Sequence, residues 1–140
     1  MLGGILMRLF DHGYVTAIYP DRATVRVKFE DKGSDDIVSR ELSMLVRGVQ
    51  KDKDIWYPDI GELVLCAFLE GTSKRGYVLG SAYNDEDIPP TDVKTKRHLQ
   101  FKDGSYVEYD EKTKKMTINL HPAGELIVNG TIKANAFVTK

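Results

Sequence analysis

Apolar and polar residues alternate with a period of two along most of this chain, the mark of strands that bury one face. In Thr24–Phe29, Val25, Val27 and Phe29 fall on one side and Thr24, Arg26 and Lys28 on the other. Residues 13–19 alternate likewise and end at Pro20-Asp21, a good turn pair. The polar stretch 30–36 reads as a loop. Leu42, Met44 and Val46 predict a third strand reaching Gly48, and 50–54 a solvated loop. Two further strands, 61–69 and 76–83, flank a polar turn at 70–75. Five short strands with no amphipathic helix predict a five-stranded Greek-key barrel of the OB type.

Residues 1–84 are assigned to that barrel. The acidic run 85–87 and Pro89-Pro90 cannot continue a sheet, so 85–95 is predicted to be a linker. Beyond it, short strands at 98–101, 106–109 and 116–120 are separated by turns at 102–105, 110–115 and 121–124. From Leu126 onward the even positions are Leu126, Val128, Gly130, Ile132, Ala134, Ala136 and Val138, all apolar or small, while most odd positions are polar. A segment such as 96–140, with no disulfide, metal cluster or covering helix, cannot bury its apolar face alone. It packs on the barrel or on copies of itself. The small residues Gly130, Ala134 and Ala136 suit strands meeting at a crowded symmetry axis. A homotrimer wound into a β-prism or β-helix would bury those seven even positions and remove exposed edges.

Composition narrows the picture. Twenty Lys/Arg against 21 Asp/Glu give a net charge of −1, which offers no field to draw in nucleic acid or an anionic membrane. The halves differ modestly: residues 1–90 sum to −4 and 91–140 to +3. The lone cysteine, Cys66, sits in the apolar run 63–68 and reads as a buried small hydrophobe in a protein of a reducing compartment. The apolar start, residues 1–10, is too short to span a membrane and lacks the basic-then-apolar order of a signal peptide. It is expected to pack on the body or on a neighbouring subunit.

Several motifs recur in a telling order: Gly13-Tyr14-Val15 with Ala23-Thr24-Val25-Arg26-Val27; Trp56, Pro58, Gly61, Glu62 and Val64; Gly76, Val78-Leu79-Gly80, Tyr83 and Asn84; then Phe101, Asp103-Gly104 and Glu108-Tyr109-Asp110. In that order and spacing the chain resembles the baseplate assembly protein V family, the central spikes of contractile phage tails. The resemblance implies an OB barrel docked on a tail hub protein and a trimeric β-helical needle below it. Its role would be mechanical, with sheath contraction driving the spike through the target envelope, which it touches transiently. It also implies assembly in the bacterial cytoplasm into the baseplate of a phage or a tail-like bacteriocin. Many members end in a His-x-His pair that holds an iron ion at the needle tip. Here the histidines are His12, His98 and His121, none so spaced, and no tip iron is expected. A separate tip protein, such as a PAAR-repeat cone, would then cap the needle.

Nothing else reads as catalytic machinery, and neither cofactor nor metal is expected. His121, beside Pro122, reads as a turn residue rather than a ligand contributed around an axis. His98, amid Lys94, Lys96, Arg97 and Lys102, reads as part of a solvated basic face rather than an anion site. Asp52, Asp54 and Asp59 cancel the field of Lys51 and Lys53, so Trp56 and Tyr57 read as closing a barrel end or lying in a subunit contact. Glu62 and Glu70 do not form a glycosidase pair in so short a chain. Neither Asp35-Asp36 nor 85–87 has the ligand spacing of a calcium loop. The expectation is a non-enzymatic homotrimeric spike. The rival is an OB module binding single-stranded nucleic acid or carbohydrate.

Overall fold

The computed structural model describes residues 9–29, 37–69 and 75–140. The expected loop at 30–36, the carboxylates Asp35, Asp36 and Glu70, most of the 70–75 turn, and the leading segment before Leu9 lie outside the described residues. Nine strands and no helix appear among those described. The chain divides into two compact units, residues 1–88 and 89–140.

The first unit is a closed barrel. Its strands are β1 (Phe10–Tyr19), β2 (Thr24–Phe29), β3 (Ile37–Val38), β4 (Leu42–Met44), β5 (Leu63–Phe68) and β6 (Gly76–Ser81). Pairing runs β1-β5-β6-β4-β2 and returns to β1, with the two-residue β3 hanging on β2. Strand β1 makes closure possible because it serves two neighbours. Phe10 to Tyr14 pair with β5, Tyr14 to Tyr19 pair with β2, and a bulge between Val15 and Ala17 turns the strand between them. All pairings are antiparallel except β4 with β6, where Ser43 faces Tyr77 and Met44 faces Val78. A closed five-stranded sheet is consistent with the OB-type barrel expected from the number and spacing of the strands.

Alternation fills the interior. Val15, Val25, Val27, Leu42, Val64 and Cys66 are buried to 1% exposure or less, joined by Phe29, Phe68 and Val78. Phe29 and Phe68 meet edge to face at 5.4 Å. Full burial of such side chains contributes about 1.5–3 kcal/mol each. The Cys66 thiol is pushed up to about 12, first by burial and second by the Asp11 carboxylate. It is a core hydrophobe, as the apolar run predicted.

The largest departures from the predicted spans are the start of β1, the end of β4 and the extra strand β3, most other strands shifting by one or two residues at an end. Strand β1 begins at Phe10, so the end of the apolar start already belongs to the sheet. The third strand stops at Met44 rather than Gly48. Asp54 ends it by accepting the amides of Arg47 and Gly48 and pairing with the Arg47 guanidinium at 2.8 Å, which holds its carboxyl below the usual range. The extra strand β3 is fixed by buried Ser39, whose amide donates to the Val27 carbonyl and whose Oγ accepts the Val27 amide.

The second unit is a three-stranded antiparallel sheet of β7 (Lys96–Gln100), β8 (Tyr106–Asp110) and β9 (Lys115–Asn119). Both its turns use a left-handed residue, Gly104 at φ 91° and Lys114 at φ 60°. In the first, Asp103 accepts the Ser105 amide, which keeps its carboxyl low. In the second, Asp110 accepts the Lys112 amide and the Thr95 hydroxyl, with the same effect, the amide bond being the larger cause. Residues 120–140 join no strand ladder among the described residues.

Candidate functional site

Two surfaces hold the residues singled out from the sequence. The first is on the barrel, where the parallel β4–β6 junction leaves a groove of about 550 Å³. Met44, Pro58 and Val78 form its inner part; Leu45, Trp56, Leu79 and Tyr83 stand on its rim. Pro58 is buried, whereas Trp56 is 55% exposed and Tyr83 65%. A second cavity of about 340 Å³ shares Met44, Leu45 and Trp56 and ends at the Arg47–Asp54 pair. Aromatic side chains standing half out of an apolar groove are the residue types that anchor protein contacts.

Glu62 shapes the groove rather than performing chemistry in it. Its Oε1 accepts the Asp59 amide at 3.2 Å and its Oε2 accepts the Ser81 hydroxyl. One carboxylate thus clasps the 59–62 turn to the end of β6. Gly61 takes φ 89°, donates its amide to the Val15 carbonyl at 2.7 Å, and lets the Val15 amide reach the Glu62 carbonyl at 3.0 Å. Gly76 is needed for another reason: a Cβ there would overlap the Ala67 carbonyl and the Phe68 ring. At Gly80 a Cβ would meet nothing. Tyr57 points elsewhere and donates to the Pro20 carbonyl.

The second surface lies in residues 89–140. Register sorts the three strands into two faces. Leu99 faces Val107, which faces Ile118; beside that row, Arg97, Tyr109 and Met116 make another. The opposite face carries Lys96, Asp110 and Lys115, then His98, Glu108 and Thr117, then Gln100, Tyr106 and Asn119. Leu99, Met116 and Ile118 are exposed within the chain. So are Leu126, Val128, Gly130, Ile132, Ala134, Ala136 and Val138, the even positions of the tail. Sequence periodicity marked the tail but not the apolar face of β7–β9, since its rows become visible only once the pairing register is known.

The histidines fall in different settings. His12 is exposed on β1. The His121 ring accepts the Ala123 amide through Nδ1 and its own amide donates to the Ser105 hydroxyl, so it caps its own turn. His98 is not on a solvated basic face: its side chain is 9% exposed, with Nδ1 2.9 Å from Glu108 Oε1. Among the described residues no cluster of His, Cys, Asp and Glu is arranged to hold a metal.

The sequence of this chain matches known proteins. The sequence model of the type VI secretion system and phage-baseplate injector OB domain matches residues 11–83, which span β1 to the end of the groove. The chain belongs to this family. The spike protein of Escherichia phage P2 is 25% identical to it over 93 residues, covering 66% of this chain and 44% of that protein. This chain therefore spans less than half the length of that relative. Within the injector OB family, Trp56, Pro58, Gly61, Glu62, Gly76, Gly80 and Tyr83 all fall inside the matched region.

Proposed function

We propose that this chain is the central spike of a contractile injection apparatus, a phage tail baseplate or a tail-like bacteriocin, and that it works as a homotrimer without a catalytic step. One observation carries the reading. Downstream of a barrel that buries its own core, Leu99, Met116 and Ile118 of the sheet and the alternating apolar positions of the tail stay exposed among the described residues. Exposed apolar surface of that extent marks an interface. Three copies would turn the Leu99–Val107–Ile118 rows and the even tail positions toward a common axis. The tails, with their unpaired backbone groups, would pair across chains into a β-prism or β-helix. Such a needle is rigid because each strand is hydrogen-bonded, which suits piercing an envelope.

The barrel groove, with Trp56 and Tyr83 at its rim, supplies the docking surface for a tail hub protein, and a separate PAAR-type tip protein caps the other end. Assembly takes place in the bacterial cytoplasm, and the product is part of the particle's baseplate. Nucleic acid is not a partner: Glu62 and Asp87 line the groove and would repel phosphates.

Light scattering coupled to gel filtration tests the reading. The expected result is a single species of three times the 15.8 kDa chain mass. A monomer at micromolar concentration overturns the needle, and the groove then becomes the binding site of an OB module for carbohydrate.

A further inference from the structure

The polar face of β7–β9 holds an arrangement that neither packing nor trimer formation requires. His98 and Glu108 stand directly opposite each other on β7 and β8. Both are largely enclosed, at 9% and 16% side-chain exposure. His98 Nδ1 lies 2.9 Å from Glu108 Oε1, and Nε2 lies 2.7 Å from Gln100 Oε1. The ring stacks on Tyr106 at 4.9 Å between centroids. Both ring nitrogens therefore face oxygen acceptors. A neutral imidazole has one N–H and can satisfy only one of them; an imidazolium satisfies both.

We propose that His98 and Glu108 form a proton-operated latch on the β7–β8 hairpin, closed while the imidazole carries its second proton and released when that proton leaves to solvent. The charged and titratable groups on this face are few. On β7, Lys96 and Gln100 flank the ring; Lys96 Nζ lies 3.7 Å from the other Glu108 oxygen. On β8, Tyr106 and Asp110 flank Glu108, and Lys115 and Thr117 on β9 complete the rows. The balance favours the charged ring. Hydrogen bonding to Gln100, then to Glu108, raises the proton affinity of His98, while the Lys96 charge opposes it.

The direction of the pH dependence follows. Because the folded chain holds the proton more tightly than the unfolded chain, the latch contributes fully below about pH 6.5, the ordinary histidine value. Its contribution is lost as pH rises through the higher folded value. Loss of the proton leaves one N–H for two acceptors, so the ring no longer ties Glu108 and Gln100 together, and one of the two oxygens loses its donor. The hairpin at the start of the second unit thus loosens under mildly alkaline conditions and tightens under acidic ones. The inference does not depend on how many copies assemble.

The test is an NMR titration of the imidazole nitrogens in the full chain, with His98→Gln to assign the signal. Amide exchange is followed in parallel, comparing β7–β8 with β1–β5 of the barrel. The expected result is a His98 midpoint above the ordinary histidine value of about 6.5, lowered in both Glu108→Gln and Gln100→Ala. Exchange in β7–β8 should also accelerate through that midpoint by more than exchange in the barrel does. A midpoint at or below about 6.5, the ordinary histidine value, overturns the proposal. So does a raised midpoint with no differential change in exchange, since the pair would then hold a proton without latching the hairpin. Should His98→Gln fail to fold, the two other variants still decide the matter, because neither removes the ring.

Discussion

The barrel and the segment after it are built from the same kind of strand, yet only the barrel finishes its own interior. Strands β1, β2, β4, β5 and β6 each send at least one side chain into a shared core, and the β1–β2 pairing closes the sheet on itself. The β7–β9 sheet has comparable alternation, but none of its strand residues is buried, and the one buried residue of the second unit is Ser105 in the β7–β8 turn. Chain closure explains the difference. A barrel turns its apolar face on itself, whereas an open three-stranded sheet has nothing behind it. Stability in the first unit is then a property of one chain, whereas under the proposed trimer that of the second would depend on assembly and so on concentration.

The largest expected effect separates the two. Ala134→Glu would bring three carboxylates together near the proposed axis, where burial without partners is prohibitive. Light scattering should report a fall from three chains to one, while the melting transition of the barrel persists. A stable trimer carrying this substitution would sink the inward assignment of the even tail positions.

Next in size is a change confined to the barrel. Leu42 is fully buried where β4 meets both β2 and the core. Leu42→Ala should cost about 2–5 kcal/mol, as large-to-small core substitutions do. That loss should be independent of protein concentration, measured by denaturant unfolding. Cys66 provides a second readout. Its enclosed thiol, pushed up to about 12, should resist a thiol reagent at pH 8 in the folded chain. Labelling should proceed only through barrel opening, so Leu42→Ala should accelerate it. Rapid labelling of the unmodified chain would contradict the closed core.

How much of this was legible in the sequence depends on range. Strand β2 matches its predicted span because Val25, Val27 and Phe29 alternate without a break. The turns at Gly104 and Lys114 were visible for the same local reason. What alternation cannot show is who pairs with whom. The β1 bulge that lets one strand serve two partners, and the parallel β4–β6 junction beneath the groove, are long-range outcomes. Leu45 and Val46 continue an apolar pattern past Met44, but Asp54, eight or nine positions on, captures the following amides and ends the ladder. His98 was misread for a related reason. Its sequence neighbours are basic, but its spatial partner, Glu108, lies ten positions away across a hairpin.

The smallest effect isolates backbone conformation from packing. Gly61 and Gly76 belong to the same run of motif residues, yet the structure needs them differently. At Gly61 a Cβ would touch nothing, and only the positive φ demands glycine. Gly61→Ala should therefore cost about 1–2 kcal/mol, the strain of a left-handed residue with a Cβ. Gly61→Asn should cost less, since asparagine tolerates that region. At Gly76, where φ is not the issue, the same alanine would overlap the Ala67 carbonyl across the β5–β6 ladder, and asparagine should do worse than alanine. Denaturant unfolding of the four variants checks the crossover. If asparagine exceeds alanine in cost at position 61, the left-handed turn that presents Glu62 to Ser81 is not what fixes that glycine.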